Sequence, residues 1–216
     1  MKFLITAGPT REAIDPVRFL SNRSSGKMGY ALAKAALAAG HEVTLVSGPV
    51  CLLPPAGAEI VPVTSSDEMF DAVHARVANV DACVLCAAVA DFKPAHVAPR
   101  KIKKGGTESL TLELVRTRDI LLSLRDLPPG ASGKKPVVVG FAAETDNVME
   151  NARRKLRAKG CALLVVNDVS RPDIGFETDE NELTLLYRSG EVRVLSFSKK
   201  EALAHDLLQI IVQIPK

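Results

Sequence analysis

Short apolar runs alternate with amphipathic stretches along most of this chain. Leu4-Ile5-Thr6-Ala7 reads as a strand that breaks at Gly8-Pro9, and after a polar excursion an Ala-rich stretch over 26–40 predicts a helix. A second strand is expected over 42–47 and a loop at Gly48-Pro49 and Pro54-Pro55, followed by a short third strand over 59–63. Ser65-Ser66-Asp67-Glu68 has the form of a capping box, opening a helix with Met69, Phe70, Val73 and Val77 on one face. Residues 81–88 are nearly all apolar, as suits a central parallel strand covered on both faces.

The alternation continues beyond that strand. Residues 110–114 switch between apolar and polar and predict an edge strand, Thr117 is placed to cap a short helix, and 128–135 is a loop. A fifth strand enters at Val137 and ends in Gly140-Phe141-Ala142-Ala143-Glu144-Thr145, and a helix follows over 146–159. Residues 162–166 form a sixth strand, 182–188 and 191–197 a hairpin around Ser189-Gly190, and Ser198 is expected to cap a last helix facing Leu203, Leu207, Ile210 and Ile211 inward. The pattern is that of an α/β chain: a three-layer, Rossmann-like, doubly wound and mostly parallel sheet with a C-terminal β-hairpin extension, in a single domain over 1–216.

Composition narrows the function. A length of 216 residues can bury a full core. The net charge of +3 gives no broad field for a nucleic-acid backbone, and 4% aromatics without Trp is poor material for base stacking, so no nucleic-acid partner is expected. No apolar run approaches a membrane span and the N-terminus reads as a strand, so the expected location is cytoplasmic, with no membrane partner. Cys83 and Cys86 lie in the apolar run and, three apart on a strand, point to opposite faces, which marks them as core thiols rather than a redox or metal pair.

The candidate chemistry begins where the first strand leads through a loop into a helix. Ser24, Ser25 and Gly26 at such a start offer backbone N–H groups and a favourable dipole to an anion. The loop is neither a P-loop, since Ser21 and Met28 stand where Gly and Ser or Thr are required, nor a dinucleotide fingerprint, since only Gly26 and Gly29 remain of three glycines. Strand 81–88 ends in Ala87-Ala88-Val89-Ala90-Asp91-Phe92, where small residues admit a ligand to the backbone. Asp91 there either faces a ribose or metal or caps its own turn. Lys101-Ile102-Lys103-Lys104, followed by Gly105-Gly106, is either a solvated turn or a mobile cationic lid. Asn151, Lys155 and Lys159 recur at spacings of four. Like charges so placed cost an isolated helix roughly 0.2–0.5 kcal/mol, leaving a bound anion or a solvated basic face as the alternatives.

Seven blocks in order resemble the phosphopantothenate-cysteine ligases, or phosphopantothenoylcysteine synthetases, of coenzyme A synthesis. They are Thr6-Ala7-Gly8-Pro9-Thr10-Arg11-Glu12; Asp15-Pro16-Val17-Arg18; Ser21-Asn22 with Ser24-Ser25-Gly26-Lys27-Met28-Gly29; Ala87 to Phe92; Lys101 to Lys104; Gly140 to Thr145; and Asn167-Asp168-Val169-Ser170. The resemblance implies a two-step reaction. The carboxylate of 4'-phosphopantothenate takes the α-phosphate of CTP, with Mg2+, to give an acyl-cytidylate and pyrophosphate, and the amine of L-cysteine then displaces CMP. The bacterial, CTP-dependent type fits the lysine run and the block spacing, and animal members use ATP.

The same resemblance implies catalytic roles for Asn22, which holds the acyl intermediate, and Lys101, which stabilises the first transition state. It implies nucleotide contacts for Asp91, Phe141, Lys155, Lys159, Lys101 and the segment Arg118, Asp119, Ile120 and Leu121, although relatives often carry Pro at Arg118. Gly8, Ser24, Ser25, Gly26, Ala87 and Ala88 complete the expected binding set, and the metal ligands stay unknown. A homodimer is implied, in which the 182–197 hairpin could cross between subunits, as is a separate or fused flavin-dependent phosphopantothenoylcysteine decarboxylase. With Met1 directly before the first strand, no FMN is expected in this chain, which is either a stand-alone ligase or an excised half. The rival reading is a short-chain-type NAD(P)-dependent oxidoreductase, which lacks a ribose-reading acid after the second strand and has Glu191 where Tyr187 would need a lysine. A nucleotide-sensing module without turnover is a third.

Overall fold

A computed structural model describes residues 1–104, 109–130, 133–144, 146–168 and 178–215. The readings that involve Gly105, Gly106, Thr145, Val169 and Ser170 lie outside the described residues. In chain order the elements are β1 (Lys2–Ala7), β2 (Arg11–Ala13), β3 (Phe19–Ser21), α1 (Lys27–Ala38), β4 (Glu42–Ser47), β5 (Glu59–Pro62), α2 (Ser66–His74), β6 (Ala82–Leu85), β7 (Phe92–Pro94) and β8 (Leu114–Arg116). They continue with α3 (Ile120–Ser123), β9 (Val137–Glu144), α4 (Val148–Lys159), β10 (Leu163–Asp168), β11 (Glu180–Tyr187), β12 (Val192–Lys199) and α5 (Lys200–Gln213).

Eight strands form one sheet in the order β12-β11-β10-β9-β6-β1-β4-β5. The run from β5 to β10 is parallel throughout, and β11 and β12 join antiparallel. Strand order reverses between β1 and β6, the place where open α/β sheets leave a crevice for ligands. The expected Rossmann-like sheet is therefore present, and the hairpin extends it directly instead of standing apart.

The central strands are apolar on both sides because both sides are covered. Phe3, Ile5 and Ala7 of β1 join Val84, Leu163 and Leu185 in a core under α1 and α5, while Leu4, Cys83 and Leu85 face Met69, Val73 and Ile120 of α2 and α3. Each Val, Leu, Ile, Phe or Met among them contributes roughly 1.5–3 kcal/mol on burial. Cys83 and Cys86 do lie on opposite faces, and burial pushes both thiols up to about 12. Among the described residues no helix is long and apolar enough to cross a membrane.

Local chemistry moved several boundaries. The capping box forms, with Ser65 Oγ accepting from the Glu68 amide at 3.2 Å, but Glu68 takes the amide of Thr64. Buried Glu12 adds a second clamp, accepting from the Ser66 amide and hydroxyl at 2.8 and 3.1 Å. The edge strand expected at 110–114 lies instead at β8, paired with β7. Thr117 does not cap α3; Asp119 does, accepting from the Leu122 amide at 2.9 Å. Ser198 caps nothing, since β12 runs on to Lys199 and α5 starts without a side-chain cap. The ribbon β2-β3 and strand β7 lie within stretches that periodicity left as loop.

Helix α1 sits unusually close to β1. A Cβ on Gly29 would meet that of Ala7 at 2.6 Å, so the helix start is pressed against the end of the strand. Gly29→Ala is expected to destabilise the protein by about 1–3 kcal/mol through overpacking, read as a lowered urea midpoint at unchanged m-value.

Candidate active site

The loop after β6 is pinned on every side. The Ala87 amide donates to Thr6 Oγ1 at 3.1 Å and the Ala90 amide to Thr10 Oγ1 at 3.0 Å. The Ala88 amide donates to the Gly8 carbonyl at 2.9 Å, and the Ala88 carbonyl accepts from the Thr10 amide at 3.3 Å and from Asn22 Nδ2 at 3.0 Å. On the far side Thr117 donates its hydroxyl to the Ala90 carbonyl at 2.7 Å and its amide to the Asp91 carbonyl at 3.0 Å. This segment is a fixed wall at the C-terminal rim of the parallel sheet.

Two clefts open along that wall. The first, of about 650 Å³, is bounded by Asp91, Arg118, Asp119, Ile120, Leu121, Phe141, Lys155 and Lys159. The second, of about 520 Å³, is bounded by Asn22, Ser24, Gly26, Lys27, Ala88, Asn167, Asn181 and Lys200. They share Ala87, Val89, Asp91, Phe141, Ala142 and Lys155. A ligand in either cleft that reached this shared edge would touch these same six residues.

Most of the residues singled out in the sequence converge here. Lys155 pairs with Glu144 at 2.7 Å and Lys159 with Asp119, so the basic face of α4 is met by carboxylates at the cleft rim. Asn151, in contrast, bonds to Asp146 and Arg154 and lines neither cleft. Arg118 borders the first cleft, but its guanidinium is engaged by α2. It donates to Asp67 Oδ1 at 3.1 Å and Asp71 Oδ1 at 2.8 Å and stacks 4.0 Å from the Phe70 ring centre. The Lys93 ammonium and this guanidinium together hold the Asp67 carboxyl below its usual range.

At the start of α1, Gly26 adopts the left-handed conformation (φ 79°), and its amide donates to Ser24 Oγ at 3.3 Å. Gly8, also left-handed (φ 78°), lies beneath, its Cα 3.4 Å from where a Cβ on Gly26 would stand. Neither Gly8 nor Ser25 borders a cleft. Lys101 is exposed and borders neither cleft; its neighbour Ile102 is tethered, with the amide donating to Asp15 Oδ2 at 3.1 Å and the carbonyl accepting from Arg18 Nη2 at 2.9 Å. Among the described residues no three His, Cys, Asp or Glu side chains gather to hold a metal ion.

The position that a ribose-reading acid would occupy, at the end of β4, holds buried Ser47, its hydroxyl 3.0 Å from that of Tyr30. A family model described as the DNA/pantothenate metabolism flavoprotein C-terminal domain matches residues 1–214. The chain belongs to this family. It is 48% identical over 214 residues to the coenzyme A biosynthesis bifunctional protein CoaBC of Escherichia coli (strain K12), covering 98% of this chain and 52% of that protein. To CoaBC of Bacillus subtilis (strain 168) it is 47% identical over 216 residues, covering 99% and 51%. The chain thus spans about half the length of the curated relatives it matches. A crystal structure of the C-terminal domain of CoaBC superposes with a TM-score of 0.80 at 42% identity, over 98% of this chain and 94% of that one. A Cab2 mutant in complex with phosphopantothenate-cysteine shares the fold, with a TM-score of 0.77 at 17% identity over 98% and 85%. The oxidoreductase reading finds no support among these relatives.

In this chain, sequence reasoning missed the supports of the wall and one side of the second cleft. Thr6 and Thr10 were legible as polar residues bracketing an apolar strand end. Asn181 and Lys200 were not, because they reach the rim only through the return of β11 and β12. Asp15 stands out in the sequence only as part of a block. The Arg18 guanidinium, opposed by burial and aided by the amides of Val17, Ile102 and Arg18, holds its carboxyl well below the usual carboxylate range. A carboxyl depressed in the fold lends its stabilisation above its unfolded pKa of about 3.9 and loses it as the pH falls from there. The protection factor of the Ile102 amide is expected to drop below about pH 4, and in Asp15→Asn to be low at every pH with α1 still protected. Hydrogen exchange by NMR checks this; equal protection in the variant would mean that other contacts hold the 101–104 segment.

Proposed function

We propose that this chain is a single phosphopantothenate-cysteine ligase domain, joining 4'-phosphopantothenate to L-cysteine through an acyl-cytidylate in coenzyme A synthesis. The observation that carries the reading is the shared wall. A reaction between the carboxylate of one ligand and the α-phosphorus of another needs two sites that meet along a common edge, and the two clefts do so at Ala87, Asp91, Phe141 and Lys155. The relatives named as coenzyme A biosynthesis proteins, and the phosphopantothenate-cysteine bound to the Cab2 neighbour, point the same way.

In this reading CTP occupies the first cleft, its base and sugar against Phe141, Ile120, Leu121 and Asp91, and its phosphates toward Lys155 and Lys159. The acyl substrate occupies the second. A carboxylate oxygen forms a bond to the α-phosphorus while the bridging bond to the β-phosphate breaks and pyrophosphate leaves. The cysteine nitrogen then bonds to the acyl carbon, the carbon–oxygen bond to CMP breaks, and the ammonium proton passes to solvent or phosphate. Two anions must approach in the first step, so fixed positive groups are required. Asn22, oriented by its bond to the Ala88 carbonyl, offers its remaining amide groups to the acyl unit without adding a carboxylate. Lys101 acts from the tethered 101–104 segment, swinging toward the triphosphate. Magnesium would come with the triphosphate, since this ion takes its oxygens largely from phosphate and water.

The reading includes a cytoplasmic homodimer working with a flavin-dependent decarboxylase, separate or fused. The candidate dimer face is the pair of ribbons β2-β3 and β7-β8, where Phe19, Phe92, Leu114 and Val115 are all exposed, in preference to the 182–197 hairpin, whose strands lie in the main sheet.

The deciding experiment is pyrophosphate release with CTP and with ATP in parallel, with and without phosphopantothenate and cysteine. Release that requires phosphopantothenate and is faster with CTP is expected, and no release with either nucleotide would leave the sensing module in its place. Lys101→Gln is expected to slow acyl-cytidylate formation by about 100-fold or more at unchanged melting temperature. Asn22→Asp should also slow turnover, because it sets a carboxylate against the substrate's own; near-normal rates would reduce Asn22 to a loop fastener.

A further inference from the structure

Helix α3 is a single turn, too short to hold its own shape, yet it forms one wall of the first cleft through Ile120, Leu121 and Leu122. At its N-cap it carries the Asp119 carboxylate, whose Oδ1 accepts from the Leu122 amide while Oδ2 pairs with Lys159. One side of the turn is pressed on the sheet, where a Cβ on Gly140 of β9 would meet Leu121 Cδ2 at 2.5 Å. The other side faces α2, with Ile120 among Met69 and Val73, and a chain of polar contacts joins the two helices there.

Ser123 closes the turn, its hydroxyl donating to the Ile120 carbonyl at 2.7 Å, and His74 Nε2 stands 2.8 Å from the same hydroxyl oxygen. A serine hydroxyl has a single proton. With that proton on the Ile120 carbonyl, Nε2 must carry its own and donate it to Ser123 Oγ, so the network requires the Nε2–H tautomer of His74. The imidazole, at the end of α2, stacks on Phe70 with ring centres 4.2 Å apart, and Phe70 also stacks with the Arg118 guanidinium. Burial first, then the charge of Arg118, pull the imidazole's pKa below its usual value against the raising influence of Asp71, so near neutrality the ring is uncharged and has one N–H to give. A phenylalanine would stack as well; the Nε2–H is what histidine adds.

We propose that His74, which borders neither cleft, is a positioning residue for the nucleotide: acting through Ser123, it holds α3 in the shape that the first cleft needs. The inference rests on the ligase reading for the identity of the nucleotide, while the tie between the two helices does not. Once the tie is lost the turn has other shapes to visit, and a ligand that needs one of them binds more weakly in proportion to the fraction of molecules holding it. The second cleft draws no residue from α3, so the loss falls on one substrate alone.

His74→Phe keeps a stacking ring and removes the donor, whereas His74→Gln keeps an N–H near the place of Nε2 and removes the ring. The phenylalanine variant is expected to raise both the dissociation constant and the KM for CTP by about 3- to 10-fold, the loss of one hydrogen bond, with the KM for phosphopantothenate within about twofold. The glutamine variant should recover most of that loss. Ser123→Ala should match His74→Phe, and the double variant should be no worse than Ser123→Ala alone, since the two residues act along one line. In the unmodified protein, proton–nitrogen correlation spectra of the ring are expected to show the Nε2–H tautomer, and amide exchange at Leu122 and Ser123 is expected to quicken in the phenylalanine variant and not in the glutamine one. Normal CTP affinity in His74→Phe, or a greater loss in His74→Gln, would reduce His74 to packing and overturn the proposal, as would the Nδ1–H tautomer. If the unmodified protein binds no CTP, the ligase reading fails, and the tautomer and the exchange rates still decide whether His74 sets α3.

Discussion

The site depends on a backbone exchange at the sheet's reversal point. The loop after β1 and the loop after β6 are bonded to each other through Gly8, Thr10 and Ala88, and Asn22 closes the set by donating to the Ala88 carbonyl. Buried backbone groups must find partners, and here each loop supplies those of the other. Neither loop can shift alone. This is why alanines can form the wall between two clefts: their position is set by hydrogen bonds from outside the clefts, so the cavity side needs no side chain to hold it.

Around this rigid wall the charged groups are held loosely and in pairs. Lys27, Lys155 and Lys159 each have a carboxylate partner, Asp179, Glu144 and Asp119 respectively. Asp179, Lys155 and Asp119 are substantially exposed while Glu144 is buried, and an exposed pair such as Lys27–Asp179 contributes about 0–1 kcal/mol. A polyanionic ligand can therefore take over a lysine at small cost, since one carboxylate is exchanged for a phosphate. Arg118 is different. Two aspartates and an aromatic face fix its guanidinium to α2 where it borders the first cleft.

The sequence was most legible where one local signal sufficed. Six parallel strands followed from apolar runs, the α2 cap from Ser65 and Glu68, and the opposite facing of Cys83 and Cys86 from a spacing of three. It was least legible where position depends on a distant partner. Asp119, rather than Thr117, caps α3 because Thr117 is drawn to the Ala90 carbonyl, a contact across 27 residues. Strands β2, β3 and β7 are only three residues each, too short for alternation to register. Lys101 was read as a site residue by resemblance, yet the contacts that fix its segment, Asp15 and Arg18 on Ile102, come from a turn more than eighty positions earlier.

The antiparallel end of the sheet has a consequence for chemistry as well as for packing. In a parallel sheet every strand reaches the ligand rim by its C-terminal end, and a further parallel strand would require another crossover helix. Because β11 runs against β10, it begins at the rim and delivers Asn181 there with its first residues. Because β12 runs back against β11, with Lys199 opposite Glu180, the chain returns to the same rim and α5 must start at it. The hairpin thus brings a helix N-terminus and Lys200 to a place that the parallel strands alone could furnish only with strand ends. The same turnabout lets α5 pack beside α1 under the sheet, so the two helix starts that face the second cleft belong to helices in contact within one core. A change that moved α5 would be felt at both ends of the cleft together, which ties the geometry of the cleft to the packing of the larger apolar cluster among the described residues.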